Sequence, residues 1–176
     1  TISQSAFHKC VNLTKVEIPN NSKLQTIGEY SFSYTNIKQI FIPSNVSTIG
    51  KYAFSLCHDL QIIKISEDSR LKLIDKYAFS FTEIEQILIP SILKDLRGGW
   101  CCGAYKLKKI QISPLNQIFS LIENKYLLGK TDQKSNNFDI LLFAVRNISE
   151  VSILPNITTI SQSAFHKCVN LTKVEI

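Results

Sequence analysis

No apolar run in this sequence is long enough to cross a bilayer. The longest, Ile140 to Val145, falls far short of the roughly 20 residues that a spanning helix needs, so we expect no direct membrane insertion. No secretory leader pattern opens the chain. It begins inside a repeat, so we read it as a fragment, for which a missing leader decides nothing. Metal-ligand spacing is also missing: there is no Cys-x2-Cys pair and no His-x3-His pair, which argues against zinc. Three histidines, His8, His58 and His166, are too few and too scattered for a catalytic constellation. His58 has Asp59 and Cys57 as chain neighbours, but adjacent residues do not face one another as a triad must. No serine stands in a nucleophile-elbow context. The expectation is no enzyme, no cofactor and no metal. The net charge of +6 comes from scattered lysines, densest at Lys106, Lys108 and Lys109. That is a solvated face and carries no nucleic-acid signature.

Cysteine is present, but in an odd number. Cys10, Cys57, Cys101, Cys102 and Cys168 cannot all pair within the chain. Cys10, Cys57 and Cys168 hold one place in their repeats, where a small buried residue is wanted, and read as free, packed thiols.

What the chain does have is repetition. Thr1 to Ile18, TISQSAFHKCVNLTKVEI, recurs without a mismatch as Thr159 to Ile176, offset by 158 residues. Even surface candidates match, such as Lys9 with Lys167. A shared fold would preserve the core and let the surface drift, so identity throughout points to a duplicated unit in a longer parent chain. Within that unit a shorter period is visible. Phe7, Phe32, Phe54 and Phe79 are spaced by 25, 22 and 25 residues, and Ile2, Ile27, Ile49 and Ile74 keep step. After each Phe comes an apolar triplet L-x-x-I-x-I: Leu13-Val16-Ile18, Ile37-Ile40-Ile42, Leu60-Ile63-Ile65, Ile84-Ile87-Ile89, Leu107-Ile110-Ile112, Ile148-Val151-Ile153 and Leu171-Val174-Ile176. Prolines often close it, as at Pro19, Pro43 and Pro90. The end of each triplet has period 2 and is rich in β-branched residues, which predicts a short strand with one buried face. The stretch around each Phe predicts a short helical or turn-like segment with the ring inward. One strand and one such segment cannot bury their own apolar faces, so neighbouring coils must stack into a solenoid.

The motif I-G-x-Y-A-F-x-x-C-x-x-L-x-x-I-x-I-P resembles the BspA-like leucine-rich repeat, also called the Treponema pallidum type. Ile49, Gly50, Tyr52, Ala53, Phe54, Cys57, Leu60, Ile63 and Ile65 match it nearly position by position, and the resemblance covers residues 1–112 and 148–176. The family occurs in surface antigens of oral bacteria and mucosal protozoan parasites. The resemblance therefore implies a cell-surface or extracellular protein that adheres to host cells or matrix, and it carries no catalytic residues to transfer.

Two stretches depart from the pattern. Arg97 to Leu107, RGGWCCGAYKL, puts Trp100 and Cys101 where Ala and Phe are expected, and its Gly98-Gly99 pair should kink or loosen the coil. Residues 113–147 read as an insertion. Phe119 to Leu128 and Phe138 to Val145 look like strands around the polar turn Gly129 to Asn137. A β-hairpin grafted onto the solenoid and an elongated repeat with a flexible loop both fit.

The expected architecture is a single right-handed leucine-rich repeat solenoid over residues 1–176. It has roughly seven coils, short parallel strands in one sheet, turn or short helical segments, and a hairpin-like insertion at 113–147. Its useful surface lies on the strand residues that point away from the core: Lys15 and Glu17, Gln39 and Phe41, Ile62 and Lys64, Gln86 and Leu88, Lys109 and Gln111, Glu150 and Ser152, Lys173 and Glu175. The middle of this face presents Phe41, Ile62 and Leu88, rimmed by Gln39, Lys64 and Gln86. An apolar patch inside a polar rim is the pattern of a protein contact. Sequons at Asn12, Asn20, Asn45, Asn147, Asn156 and Asn170 are glycosylation candidates if the chain is secreted. Two other functions compete with adhesion: a rigid spacer in a surface protein, and a cytoplasmic interaction scaffold, which reduced cysteines would suit. Uncapped terminal coils also predict end-to-end self-association.

Overall fold

A computed structural model describes residues 1–66 and 68–176 of the chain. Two sets of short strands alternate along its first two thirds: β1 (Thr26–Ile27), β2 (Gln39–Ile42), β3 (Thr48–Ile49), β4 (Ile62–Ile65), β5 (Leu73–Ile74), β6 (Gln86–Ile89), β7 (Asp95–Leu96) and β8 (Lys109–Ile112). The odd-numbered strands come before each Phe turn and the even-numbered strands after it. Then follow β9 (Ser120–Ile122), β10 (Tyr126–Gly129), β11 (Ile140–Ala144), β12 (Glu150–Ser152), β13 (Thr159–Ile160) and β14 (Lys173–Glu175). Together they wind a β-solenoid of about six turns, the six intervals between the seven apolar triplets. We number the coils by their triplets, as residues 2–18, 27–42, 49–65, 74–89, 96–112, 140–153 and 160–176.

The expected single sheet is instead several ladders. The strands before the turns make one continuous parallel ladder, β1-β3-β5-β7, extended to the first coil by a bridge between Ile2 and Ile27. The triplet strands pair only two by two: β2 with β4, β6 with β8, β12 with β14. A length alternation underlies the breaks. Phe32 to Ile37 and Phe79 to Ile84 span five residues, while Phe7 to Leu13, Phe54 to Leu60 and Cys101 to Leu107 span six. Full ladders join a five-residue coil to the six-residue coil after it. Between the triplet segments of the third and fourth coils a single amide crosses, from Glu83 N–H to the Leu60 carbonyl at 3.0 Å.

Around each Phe the chain forms turns, and no helix forms among the described residues. The hydrogen bonds explain why. In the second coil the amides of Tyr30, Phe32 and Tyr34 donate forward to Lys51, Ala53 and Ser55 of the third. Those of Ser31, Ser33 and Thr35 donate back to Gly28, Tyr30 and Phe32 of their own turn. A helix sends every amide back along its own chain; here every second one is spent on the neighbouring coil. The geometry requires left-handed backbone at two places per turn, four residues apart. These are Ser5 and Lys9, Tyr30 and Tyr34, Tyr52 and Leu56, Tyr77 and Phe81, Gly99 and Gly103, Ser163 and Lys167, all with φ between 54° and 75°. Bulky residues rarely adopt it, and the inter-coil bonds hold them there. Gly99 therefore does not kink its coil. It takes the tyrosine position with φ +74°, and the ladder runs on through Phe79 N–H to the Trp100 carbonyl at 2.7 Å.

Side chains stack in columns through the core. Phe7, Phe32, Phe54 and Phe79 lie ring on ring, with centroids 5.1 to 5.4 Å apart. Tyr30, Tyr52 and Tyr77 form a second stack at 4.8 and 5.0 Å. Cys57 is buried, and its thiol lies 3.0 Å from the Phe32 carbonyl, to which it donates. Its column partners are Thr35 and Thr82, whose hydroxyls donate to Phe32 and Phe79 at 2.8 Å. Cys10 differs from expectation: it is exposed, and Cys168 is only half-buried, because in the end coils the column is covered on one side. In the fifth coil Trp100 follows Ala78 in the small-residue column and Cys101 follows Phe79. Trp100 and Phe143 are both buried, with their rings 6.0 Å apart.

The stretch read as one strand from Phe119 to Leu128 is two, β9 and β10. They are antiparallel and reverse at Glu123-Asn124, both with φ above 50°, the conformation of a two-residue hairpin turn. β10 then pairs antiparallel with β11, with a bulge between Leu127 and Leu128. Buried Asn116 anchors the entry. Its amide donates to the carbonyls of Pro90 and Leu93, and its side-chain oxygen accepts from the amides of Ile118 and Phe119. β11 returns to the solenoid by pairing parallel with β13, so the sixth coil carries an extended strand where the others carry a turn.

Candidate functional site

The triplet strands set the candidate face. Their middle residues Ile40, Ile63, Ile87 and Ile110 are buried, so the residues on either side project outward. Register places them in two rows. Gln39 stands beside Ile62 and Gln86 beside Lys109; Phe41 stands beside Lys64 and Leu88 beside Gln111. The apolar side chains are thus not contiguous: Lys64 lies between Phe41 and Leu88, and Ile62 belongs to the other row. Phe41 and Leu88 are half-buried, while Ile62 is 44% exposed.

Two shallow depressions result, sharing Phe41 and Lys64. One, of about 440 Å³, runs from Phe41 past Lys64 to Gln86, Leu88 and Gln111. The other, of about 500 Å³, lies toward the first coil and includes Lys15, Glu17 and Gln39. Asn20 contributes to both, a role its sequon did not suggest. Lys15 and Glu17 pair at 2.6 Å. Hydrogen bonding, then charge attraction, raises the lysine's pKa and lowers the carboxylate's. Lys64 has no such acid partner among the described residues. The face therefore offers an apolar side chain, the Lys64 ammonium and amide groups. It has no nucleophile beside a base, and no cluster of His, Cys, Asp or Glu among the described residues is placed to hold a metal.

Of the sequon asparagines, Asn12, Asn20, Asn147, Asn156 and Asn170 are exposed and Asn45 is half-buried. The amide of Asn45 donates to the Ser22 carbonyl at 2.9 Å and that of Asn156 to Phe138 at 2.6 Å, so both work as struts between segments. Sequence reasoning also missed a more voluminous cleft beside the turns, between the fourth and last coils. Gly103 stands there in the column of Lys9, Tyr34, Leu56 and Phe81, where the first four coils each have a side chain.

The comparisons agree with this architecture. The model of the BspA type leucine rich repeat region matches residues 1–126 and 130–176, in six copies. Among solved structures, the chain resembles the pneumococcal vaccine antigen PcpA, at 21% identity and a TM-score of 0.86, over 98% of this chain and 41% of that one. It also resembles a leucine rich cell surface protein from Faecalibacterium prausnitzii, at 18% identity and a TM-score of 0.73, over 99% of this chain and 58% of that one. A leucine-rich repeat protein from Eubacterium ventriosum matches at 24% identity and a TM-score of 0.66, over 89% and 46%. The chain thus spans about half the length of these proteins, and at such identities the likeness is one of fold. Comparison with curated protein sequences gives no significant match. No helix among the described residues is long and apolar enough to cross a membrane. The repeat motif, the stacked columns and the family match over nearly the whole sequence lead to one assignment: the chain belongs to the BspA type leucine-rich repeat family.

Proposed function

We propose that this chain is a cell-surface protein-binding module that contacts a host-cell or matrix protein through its exposed strand face. The observation that carries the reading is the pair of depressions sharing Phe41 and Lys64, with Leu88 at the far end. A soluble rod would more safely fill outward strand positions with polar residues; apolar groups inside a polar rim are what a protein contact uses. Repeat solenoids commonly bind on such extended faces. Two of the similar solved structures are a pneumococcal vaccine antigen and a leucine rich cell surface protein, which supports the surface location. The test is capture of partners from epithelial surface and matrix proteins by the chain and by its Phe41→Ser, Ile62→Ser, Leu88→Ser triple variant. A binding module loses its partner with the triple change while its circular dichroism stays the same. Unchanged capture would rule this face out.

A spacer reading is favoured by the unbroken Phe and Tyr stacks, which stiffen the first four coils. A spacer would capture no partner and would be indifferent to the triple change. A cytoplasmic scaffold is the third reading; glycan mass on Asn12, Asn20 or any other sequon in protein from its native cell would count against it.

A further inference from the structure

The cleft beside the turns has a structural origin. Successive coils stack a side chain at the second left-handed position of each turn: Lys9, Tyr34, Leu56, Phe81. In the fifth coil that position is Gly103, with φ +75°. A Cβ there would stand 2.6 Å from the Phe81 ring, so the ring lies against bare backbone. In the sixth coil the turn is replaced by β11, which cuts straight across. The column resumes only at Lys167. Two missing side chains leave a concavity of about 770 Å³, within the size range of ligand sites.

Its walls combine apolar surface with unbalanced positive charge. Phe81, Tyr105 and Val169 present 41%, 55% and 80% of their surface, an unusual amount for three neighbouring large side chains. The two acids of the wall are already spent: Glu83 pairs with Lys106 at 2.6 Å and Glu85 with Lys108 at 3.5 Å. Two cations are not matched. Lys167 has no acid partner among the described residues. Arg146, which also lines the cleft, is 94% buried. One of its terminal nitrogens donates to the Ala164 carbonyl at 2.7 Å, and its guanidinium sits over the Phe143 ring at 4.2 Å. Among the described residues its Nε and other terminal nitrogen have no hydrogen-bond partner, and no carboxylate forms an ion pair with it. A buried charge left in that state is costly, and its field reaches into the adjoining cleft through low-dielectric protein. At the rim, the exposed side chains of Asn147 and Asn170 each offer a donor and an acceptor, which is what an extended backbone requires.

We infer that this cleft is a second binding site, distinct from the strand face, that takes an acidic peptide segment by seating an aromatic or aliphatic side chain against Phe81, Tyr105 and Val169 and its carboxylates toward Lys167 and Arg146. Charge complementarity selects the occupant: an apolar segment without acids leaves Arg146 uncompensated, and a basic one is repelled.

The probes are three acetylated, amidated, fluorescein-labelled heptapeptides: Gly-Glu-Glu-Phe-Glu-Glu-Gly and its Gln and Lys counterparts. Unlabelled phenylacetate serves as the free small acid. Fluorescence anisotropy should show the Glu peptide binding at least tenfold tighter than the Gln peptide, and the Lys peptide not at all. Affinity should fall as salt rises from 0.05 to 0.5 M. Lys167 is exposed, so Lys167→Glu leaves the core alone; it should weaken the Glu peptide at least tenfold. Val169→Trp, which fills the cleft from its rim, should do the same, whereas Lys64→Glu on the strand face should change nothing. Arg146→Gln is read only with its melting temperature, since that residue is buried. Equal affinity for the Glu and Gln peptides, indifference to Lys167→Glu, or no binding would overturn the assignment. Displacement by phenylacetate at the peptide's own concentration would overturn the peptide and leave a small-acid site. Loss of binding with Lys64→Glu would return the contact to the strand face.

Discussion

The Phe54 ring lies 5.4 Å from the Phe79 ring, with only 5° between their planes. Phe32 covers the other side of Phe54 at 5.3 Å, so each coil's ring is the floor of the next. Phe7 has a neighbour on one side only and is 41% exposed. We expect Phe54→Ala to cost about 3–5 kcal/mol, in the range for emptying a packed phenylalanine site. Phe7→Ala should cost clearly less. Equal losses in denaturant titrations would contradict the stacked column.

The thiols should stay reduced with respect to one another. Coils are separated by about one inter-strand spacing of ~4.8 Å. Cys10 and Cys57 are two coils apart and Cys168 lies further still, beyond the roughly 7 Å Cα limit for a disulfide. Mass spectrometry of non-reduced protein should find no bond among the three. Of these three, alkylation should mark exposed Cys10 first and Cys57 last, since burial pushes the Cys57 thiol's pKa up despite its bonds to Thr35. Early modification of Cys57 would contradict its place in the core.

His166 makes stability fall in mild acid. Burial first, then the Arg146 and Lys167 charges, hold its pKa below the ordinary 6.5. The edge of Phe81 also faces it. Between the lowered value and 6.5 the unfolded chain binds the proton and the folded chain does not, so stability rises with pH across that window. Melting temperatures should drop as pH falls through it, and His166→Gln should flatten that part of the curve. An unchanged slope would remove His166 as the cause.

End-to-end association is the fourth expectation. β14 pairs only with β12, while Val169, Val174 and Ile176 are exposed. A polypeptide of residues 1–176 should lengthen into rods with concentration, by a contact that does not close. Fused capping modules at both ends should return it to a monomer. Light scattering that reports a monomer at high concentration without caps would refute this.

The buried half of this fold was open to reading from sequence because each core position recurs. Ile27, Ile49 and Ile74, or Phe32, Phe54 and Phe79, announce their column by spacing alone. The turns were harder. Nothing in I-G-x-Y-A-F says that every second amide leaves for the next coil, and tyrosine or leucine at a left-handed position runs against its local preference. The reversal at Glu123-Asn124 hid because neither residue is glycine. On the strand face, the pattern gave Phe41, Lys64 and Leu88 their outward direction; that Lys64 stands between the other two depends on register between coils. The cleft was out of reach for a different reason. It is made by what Gly103 and β11 lack, and a missing side chain leaves little trace in a hydrophobic pattern.

The two identical eighteen-residue segments have matching left-handed positions, Ser5 with Ser163 and Lys9 with Lys167. Their internal bonds match too, such as Cys10 N–H to Phe7 and Cys168 N–H to Phe165, at 3.1 and 3.0 Å. Yet they meet neighbours on opposite sides: Ile2 donates to Thr26 of the coil after it, while β13 pairs with β11 of the coil before. One sequence is therefore seen with each of its two contacts made in turn. Superposing residues 159–176 on 1–18 defines a rotation and a translation, a screw operation carrying one 158-residue unit onto the next. Applied repeatedly, it fixes the pitch and handedness of any longer chain built from this unit, before a second unit has been observed. Fibre diffraction or electron microscopy of such a chain could measure that pitch directly.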